Sequence, residues 1–205
     1  MKKSRKLFIS HLSKYKKEYT LIAIFVAIGF ILGVIYIQKG SESELTSINS
    51  YIQTLISNIK NAEGINKALL LLESLKNNCI FIILIWFLGC TIIGSFFIYL
   101  ACLYKGFSLG YTVAAIFASS GIKTGIIFVL STMILQNIIL FMAIFLIANS
   151  GIQLYVNIKR NIVNLKVELF RHSLIMLISL VLSVIASFIE VYISTNFLIF
   201  LKDFL

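Results

Sequence analysis

The chain has 205 residues, of which 60% are apolar and only 13% are charged, and its formal net charge is +10. A soluble domain of this length would need far more polar surface around its core, so the composition excludes an ordinary soluble protein. The basic residues are sparse and mostly flank apolar runs. They offer no charged face that could follow a phosphate backbone, so we expect no nucleic-acid binding. The charge suits attraction to a membrane surface instead.

Residues 1–19 form a basic segment that we expect in the cytoplasm, and an apolar run follows at 20–37. That run is longer than the apolar part of a cleavable signal peptide, and no A-x-A-like site follows it. It is therefore predicted to remain as the first membrane span. Residues 20–205 are predicted to form a single all-α transmembrane domain, a helical bundle of about five spans. The predicted spans are 20–37, 79–103, 106–120, 125–149 and 172–197.

The distribution of positive charge predicts the orientation of these spans. With the N-terminus in the cytoplasm and five crossings, twelve of the eighteen Lys and Arg residues fall on the cytoplasmic side. This bias follows the positive-inside rule, whereas a third span that failed to cross would place the basic loop 150–171 outside. We therefore predict a multi-pass cell-membrane protein, embedded in the lipid bilayer, with residues 38–78 and the C-terminus outside.

Residues 38–78 form the only sizeable segment predicted to be exposed to water. Apolar side chains recur in it at helical spacing, and they include Ile48, Ile52, Leu55 and Ile59. This spacing favours a short outer helical segment with one apolar face. Two interpretations stay open: the apolar stripe docks a partner protein, or it packs on a second helix or on the membrane.

Pairs of glycines four residues apart occur in two of the predicted spans. Gly29 and Gly33 lie in the first span, and Gly106 and Gly110 lie at the start of the third. This spacing lets helix backbones approach closely in a membrane, where hydrophobicity cannot drive helix association. We predict that these glycines pack helices within the bundle, although the same motif would also serve the interface of a homo-oligomer.

One face of the fifth predicted span is polar. Its members fall within an arc of about 80° at 100° per residue, and they are Ser179, Ser183, Ser187, Glu190 and Ser194. Because a lipid-facing carboxylate is costly, Glu190 is predicted to face protein or water, for structural hydrogen bonding or for a functional contact. Gln136 and Asn137, in the middle of the fourth span, are candidate neighbours. The chain contains no proline, so helix kinks must come from glycine, serine or packing.

Catalytic motifs are missing from the sequence. His11 and His172 have no His, Cys or carboxylate at ligand spacing, and both are expected to be solvated residues near cytoplasmic membrane boundaries. The three cysteines fit neither a metal site nor a disulfide framework. The sequence also lacks H-E-x-x-H, a P-loop and paired carboxylates. We therefore expect a protein that is not an enzyme and that needs no cofactor or metal.

Several short motifs together are typical of one family. Besides the basic N-terminus, they are Lys105-Gly106-Phe107 and Leu109-Gly110-Tyr111 at the predicted turn between spans two and three, Gln136-Asn137 in span four, and Glu190-Val191-Tyr192-Ile193-Ser194 near the end. With these motifs the chain resembles the stage II sporulation protein M family of endospore-forming bacteria along most of its length. The family pattern has a proline before the Gln-Asn pair and another after the terminal serine, where this chain has Leu135 and Thr195.

The resemblance implies a role in engulfment of the forespore by the mother cell. Members of the family act as an anchor in the mother-cell membrane for the peptidoglycan-degrading stage II sporulation proteins D and P. The catalytic parts of those partners face the space between the two membranes. A permease or transporter subunit is the alternative function. It would favour internal repeats and broken midplane helices, and the glycine-rich region 106–125 could contain such a break.

Overall fold

The computed structural model describes residues 15–40, 46–50, 54, 66–91, 93–159, 164–194 and 196. Within these ranges the chain is helical and has no strand, which confirms the predicted all-α class. The five long helices are α1 (Lys16–Gln38), α2 (Lys67–Gly89), α3 (Gly94–Val129), α4 (Leu135–Lys159) and α5 (Leu165–Phe188). Two π-helical turns extend them, π1 (Leu130–Ile134) between α3 and α4, and π2 (Ile189–Ser194) after α5.

Gly121 divides the longest helical stretch into two arms. Its φ of 74° lies in a region that L side chains rarely adopt, so the helical path breaks there. Phe128 and Met133 then pack back against Ala115 and Ile116, which shows that the chain reverses direction at the break. Among the described residues, four continuous stretches are long and apolar enough to cross a membrane. With the third of them divided at Gly121, these four stretches form five long helical segments.

The connection between the second and third passes differs from the prediction. The predicted span 79–103 is not one helix, because α2 ends at Gly89 and α3 begins at Gly94. An ideal Cβ on Gly94 would lie 1.5 Å from the carbonyl oxygen of Leu88, so the turn requires glycine there. The connecting residues 90–93 are largely apolar, and hydropathy alone therefore merged two helices into one span.

Lys105, predicted at a turn, lies inside α3. The predicted third span 106–120 was accordingly too short, since the first arm of α3 covers residues 94–120. At about 1.5 Å per residue this arm is about 40 Å long, enough to cross a hydrocarbon core. The helices α2 and α5 also begin earlier than the predicted spans that started at 79 and 172.

The helices share one core and present an apolar surface. Fully buried isoleucines from four helices meet in the core, among them Ile22, Ile82, Ile98 and Ile144. Large apolar side chains are also exposed along every helix, for example Val181 at 60%. In water such a surface would aggregate, whereas lipid solvates it. The protein is therefore a membrane protein.

Candidate functional site

The four glycines predicted to pack helices meet at one crossing of α1 and α3, which we call the glycine crossing. An ideal Cβ on Gly29 would lie 2.0 Å from the carbonyl oxygen of Leu103, and one on Gly110 would lie 2.1 Å from that of Phe30. Cβ atoms on the other two glycines would meet backbone oxygens at 2.3 and 2.2 Å. Residue numbers rise together along both helices, so the pair is parallel. These glycines therefore pack α1 closely against α3 within one chain.

A second contact, between α2 and α5, is polar, and we call it the polar network. The Ser74 hydroxyl donates a hydrogen bond to Oε2 of Glu190. One turn along α2, the amide Nδ2 of Asn78 donates to the Ser187 hydroxyl at 3.0 Å and also lies 3.3 Å from Ser74 Oγ. These pairs run in opposite directions along the two helices, so α2 and α5 are antiparallel.

The polar face of the fifth pass points into the bundle. Ser179, Ser183 and Ser187 are fully buried, and Ser194 is nearly so. Glu190 is half-buried in π2. The serine spacing thus places hydroxyls along the whole contact of this pass with the other helices. A carboxylate in this setting accepts hydrogen bonds instead of meeting lipid.

The Gln136-Asn137 pair lies beside the Glu190 turn without bonding to it. Both π1 and α4 contact π2, which brings the start of α4 close to Glu190. The amide Nδ2 of Asn137, however, donates to the Met133 carbonyl in π1 at 2.8 Å. The Gln136 side-chain oxygen is buried and has no hydrogen-bond partner among the described residues.

The π1 turn is a helix distortion that arises without proline. The hydroxyls of Ser131 and Thr132 each donate to a carbonyl four residues earlier, Ile127 and Phe128 respectively, at 2.7 Å. Such bonds compete with the regular backbone ladder and bend or widen a helix. π-Helical turns are rare and are frequent at functional sites.

His172 is the largest departure from the predicted site. It was expected to be solvated, but its ring is fully buried where α2, α4 and α5 meet. Nδ1 lies 2.9 Å from the Ser150 hydroxyl and Nε2 lies 3.2 Å from the Trp86 carbonyl oxygen. Because a carbonyl can only accept, Nε2 carries the proton that bonds to Trp86. We call this contact the histidine junction.

Glycines make room for the histidine ring. An ideal Cβ on Gly89 would lie 2.5 Å from Nε2 of His172, and one on Gly151 would lie 3.1 Å from the Cα of Gly89. The backbones of α2 and α4 therefore approach each other closely under the ring. The junction lies 18 residues from Glu190, about 27 Å along a helix. We refer to the two ends of the bundle as the His172 end and the Glu190 end.

The apolar stripe of the segment between α1 and α2 is described only in part. Ile48 packs against Ile37, Ala115 and Ile116 at the Glu190 end. Its neighbour Asn49 accepts a hydrogen bond at 2.6 Å from a hydroxyl on α3. Ile52, Leu55 and Ile59 lie outside the described residues. Where the structure describes the stripe, it therefore contacts the bundle.

Sequence reasoning missed the roles of three residues in these contacts, namely Ser74, Asn78 and His172. Ser74 and Asn78 were assigned to the water-exposed segment 38–78. A signal was present, since two polar residues four apart share one helix face directly before an apolar run. Within the described residues, no group of three or more His, Cys, Asp or Glu side chains could hold a metal ion. The arrangement of these polar groups joins helices to one another.

Comparisons with known proteins give the family. No curated protein and no solved structure gave a significant match. The family model for stage II sporulation protein M matches residues 22–195, most of the chain. The matched region contains the glycine crossing, the polar network and the histidine junction. The chain therefore belongs to the stage II sporulation protein M family.

Proposed function

We propose that this protein is a non-enzymatic scaffold that anchors the stage II sporulation proteins D and P in the mother-cell membrane during forespore engulfment. Membership of the family over residues 22–195 carries the proposal, because it makes the chain a sporulation membrane protein. The partners come from the resemblance. The geometry supports a scaffold, since polar groups at two helix contacts, the polar network and the histidine junction, bond to other helices, as Ser74, Asn78 and His172 do.

The orientation proposed with this function places the Glu190 end outside the mother-cell cytoplasm. A cytoplasmic N-terminus and five passes put the connection 90–93 and the loop 160–163 in the cytoplasm. The segment 39–66 and the reversal at Gly121 then lie on the other side, where peptidoglycan-degrading partners work. The positive-inside rule supports this orientation, because the described basic residues Lys16, Lys17, Lys159, Lys166 and Arg171 lie at the His172 end.

Cysteine labelling tests the orientation. In a background with Cys79, Cys90 and Cys102 replaced by alanine, single cysteines are placed at Ser47, Asn161 and Asp203. A membrane-impermeant maleimide is expected to label positions 47 and 203 from outside, and position 161 only after the membrane is permeabilised. Labelling of position 47 with protection of 203 would contradict five passes.

The apolar stripe is the proposed docking surface for the hydrolase partners. Because Ile48 packs within the chain, the test uses Ile52→Asp with Leu55→Asp. Two carboxylates on the stripe would remove the apolar contact, and recruitment of the partners is expected to fall to background. The measurement is co-purification from sporulating cells, with membrane abundance of the scaffold followed in parallel.

A matched control places the same two charges on the other side of the same segment. At 100° per residue, Thr54 and Ser57 lie about 100–180° from the members of the stripe, so Thr54→Asp with Ser57→Asp should leave recruitment intact. If both double variants lost recruitment equally, the loss would be due to the added negative charge in the segment and not to the apolar stripe. Normal recruitment by the stripe variant at normal abundance would refute docking through the stripe.

The permease alternative receives little support from the helix geometry. A transporter of the broken-helix type is expected to have its break near the membrane midplane. The break at Gly121 lies at a chain reversal at the Glu190 end, next to Ala115 and Ile116, which pack against the end of α1. It therefore serves as a turn between passes three and four.

A further inference from the structure

Two polar side chains share one face of α4 in a stretch that is buried on every side. Residues 147–154 are all buried, and within this stretch Asn149 is 2% exposed and Gln153 is 5% exposed. Side chains four residues apart are neighbours on a helix. Neither Oδ1 of Asn149 nor Nε2 of Gln153 has a hydrogen-bond partner among the described residues. One acceptor and one donor thus lie side by side where an unmade hydrogen bond is costly.

A second polar pair lies on α5. Oε2 of Glu168, which is 7% exposed, lies 2.6 Å from a guanidinium nitrogen of Arg171. The geometry of this ion pair gives Oε2 no hydrogen bond, and the buried Nε of Arg171 has none from the part of the chain that the structure describes. Because a carboxylate oxygen has two lone pairs, Oε2 can accept a further hydrogen bond. This pair also offers one acceptor and one donor.

The packing of α4 against α5 brings the two pairs to the same level. The helices run antiparallel, since only residues 160–164 connect them and Ser150 of α4 contacts His172 of α5. From that contact, Gln153 lies three residues towards the connection on α4, and Glu168 lies four residues towards it on α5. At 1.5 Å per residue, both lie about 4–6 Å beyond the contact, and all four side chains start within a layer about 8 Å thick.

Both pairs lie on the side of α4 and α5 that is turned away from α2. Gly151 faces α2, and each member of the α4 pair lies two residues from it, about 160° around the helix. On α5, Ser187 faces α2, and Arg171 and Glu168 lie about 160° and 100° from it. Because α2, α4 and α5 pack on one another, the two pairs meet in the α4–α5 groove opposite α2.

The four groups match a neutral ligand that both donates and accepts hydrogen bonds. An anion would suit the Gln153 and Arg171 donors but would be repelled by the Glu168 carboxylate. A cation would suit that carboxylate and the Asn149 oxygen but would be repelled by the guanidinium. Water donates two hydrogen bonds and accepts two, and a buried water typically bonds to about three groups that lack other partners.

We propose that these four side chains form a binding site for buried water, and that this water bridges α4 to α5 at the His172 end. The side chain of Arg171 is 38% exposed, so water reaches the site from that end. The bridge satisfies polar groups that the two helices bury without a direct bond. This inference does not depend on the scaffold function and applies to the protein without partners.

The sign of the stability change in Gln153→Met tests the site. Methionine keeps nearly the same shape and cannot donate a hydrogen bond. If water bonds to Nε2, the thermal midpoint of the full-length protein in detergent is expected to fall by about 2–4 °C. If no water binds there, the substitution removes an unpaired buried donor, so the midpoint should stay or rise. Either of those results would overturn the proposal.

The control for this substitution is Ser179→Ala. The Ser179 hydroxyl is also fully buried and without a partner among the residues described, but it lies seven residues from His172, about 10 Å along α5 and away from the four groups. Its removal should not lower the midpoint. An equal fall in both variants would show that the loss is not specific to the site, and would also count against it.

A shared ligand predicts coupling between the two helices. Arg171→Lys keeps the charge beside Glu168 and removes the Nε donor. Because water would join Arg171 to Gln153, the variant with Arg171→Lys and Gln153→Met is expected to lose less than the sum of the two single losses. Additive losses would contradict a common water.

Water itself is detected in the wild-type protein, so the test remains decisive if a variant fails to accumulate. In full-length protein with isotope-labelled glutamine, nuclear magnetisation is expected to pass from water to the side-chain amide protons of Gln153. Its signal is the one that remains when Gln38, Gln53 and Gln136 are replaced in turn. No transfer to this amide would refute the site. These measurements need no hydrolases, so their failure is separate from failure of the scaffold proposal.

Discussion

Replacing Gly29 or Gly110 by alanine is expected to separate α1 from α3 and to destabilise the protein by about 1–3 kcal/mol per substitution. The added methyl group would overlap a carbonyl oxygen of the opposite helix, at 2.0 Å for Gly29 and 2.1 Å for Gly110. A backbone atom cannot rotate away, so the helices must move apart. This separation would remove the dispersion contacts that hold two helices together in lipid. The expected measurement is a lower thermal midpoint in detergent and reduced membrane abundance.

Gly125→Ala is the matched control for the glycine crossing. An added Cβ there would meet a ring carbon of Phe117 at 2.8 Å, and a side chain can shift where a backbone carbonyl cannot. This variant should therefore lose less than either crossing variant. Wild-type stability of Gly29→Ala and Gly110→Ala would mean that the crossing relaxes without loss, contrary to the packing described.

Removal of the His172 side chain is expected to have the largest effect of any single substitution considered. His172→Ala would open a cavity between three helices and leave the Ser150 hydroxyl without its partner, at about 3–5 kcal/mol. His172→Phe fills the space and should lose less, about 1–3 kcal/mol. The Trp86 carbonyl oxygen also accepts a hydrogen bond from the backbone N–H of Cys90 at 3.2 Å. It therefore still has a donor when His172 is replaced.

Ser150→Ala separates hydrogen bonding from packing at this junction. In the wild-type background it leaves Nδ1 of His172 unsatisfied and should destabilise by about 1–3 kcal/mol. In the His172→Phe background it should change little, because the hydroxyl has already lost its partner. Thermal midpoints of the four proteins give the coupling. A zero coupling energy would show that the contact at 2.9 Å contributes nothing to stability.

Features with a local sequence signal were predictable. The length of the apolar runs predicted the all-helical class, and the i, i+4 spacing of glycines indicated that two helices approach each other closely. The turn at 90–93 was not predictable, because its residues are as apolar as the helices that it joins. Lys105 was mistaken for a turn marker for the same reason, since a charge in an apolar run usually marks a boundary.

The pairings that form the polar contacts could not be predicted from one sequence. Ser74 and Glu190 are 116 residues apart, and Trp86 and His172 are 86 apart. Hydropathy carries no information about which helix faces which. His172 illustrates this limit, because its position near a span end is compatible with solvent as well as with burial between three helices.

The antiparallel contact between α2 and α5 also constrains how the protein is made. Asn78 and its partner Ser187 are 109 residues apart, which at about 5–20 residues per second corresponds to roughly 5–20 s of synthesis. Among the described residues, α2 is the least apolar of the four membrane-length stretches. During that interval its polar side chains lack the hydroxyl groups of α5 with which they later form hydrogen bonds. The α1–α3 pair, by contrast, can close before α4 leaves the ribosome. The contact between α1 and α3 is therefore expected to form before α5 is available to bond with α2.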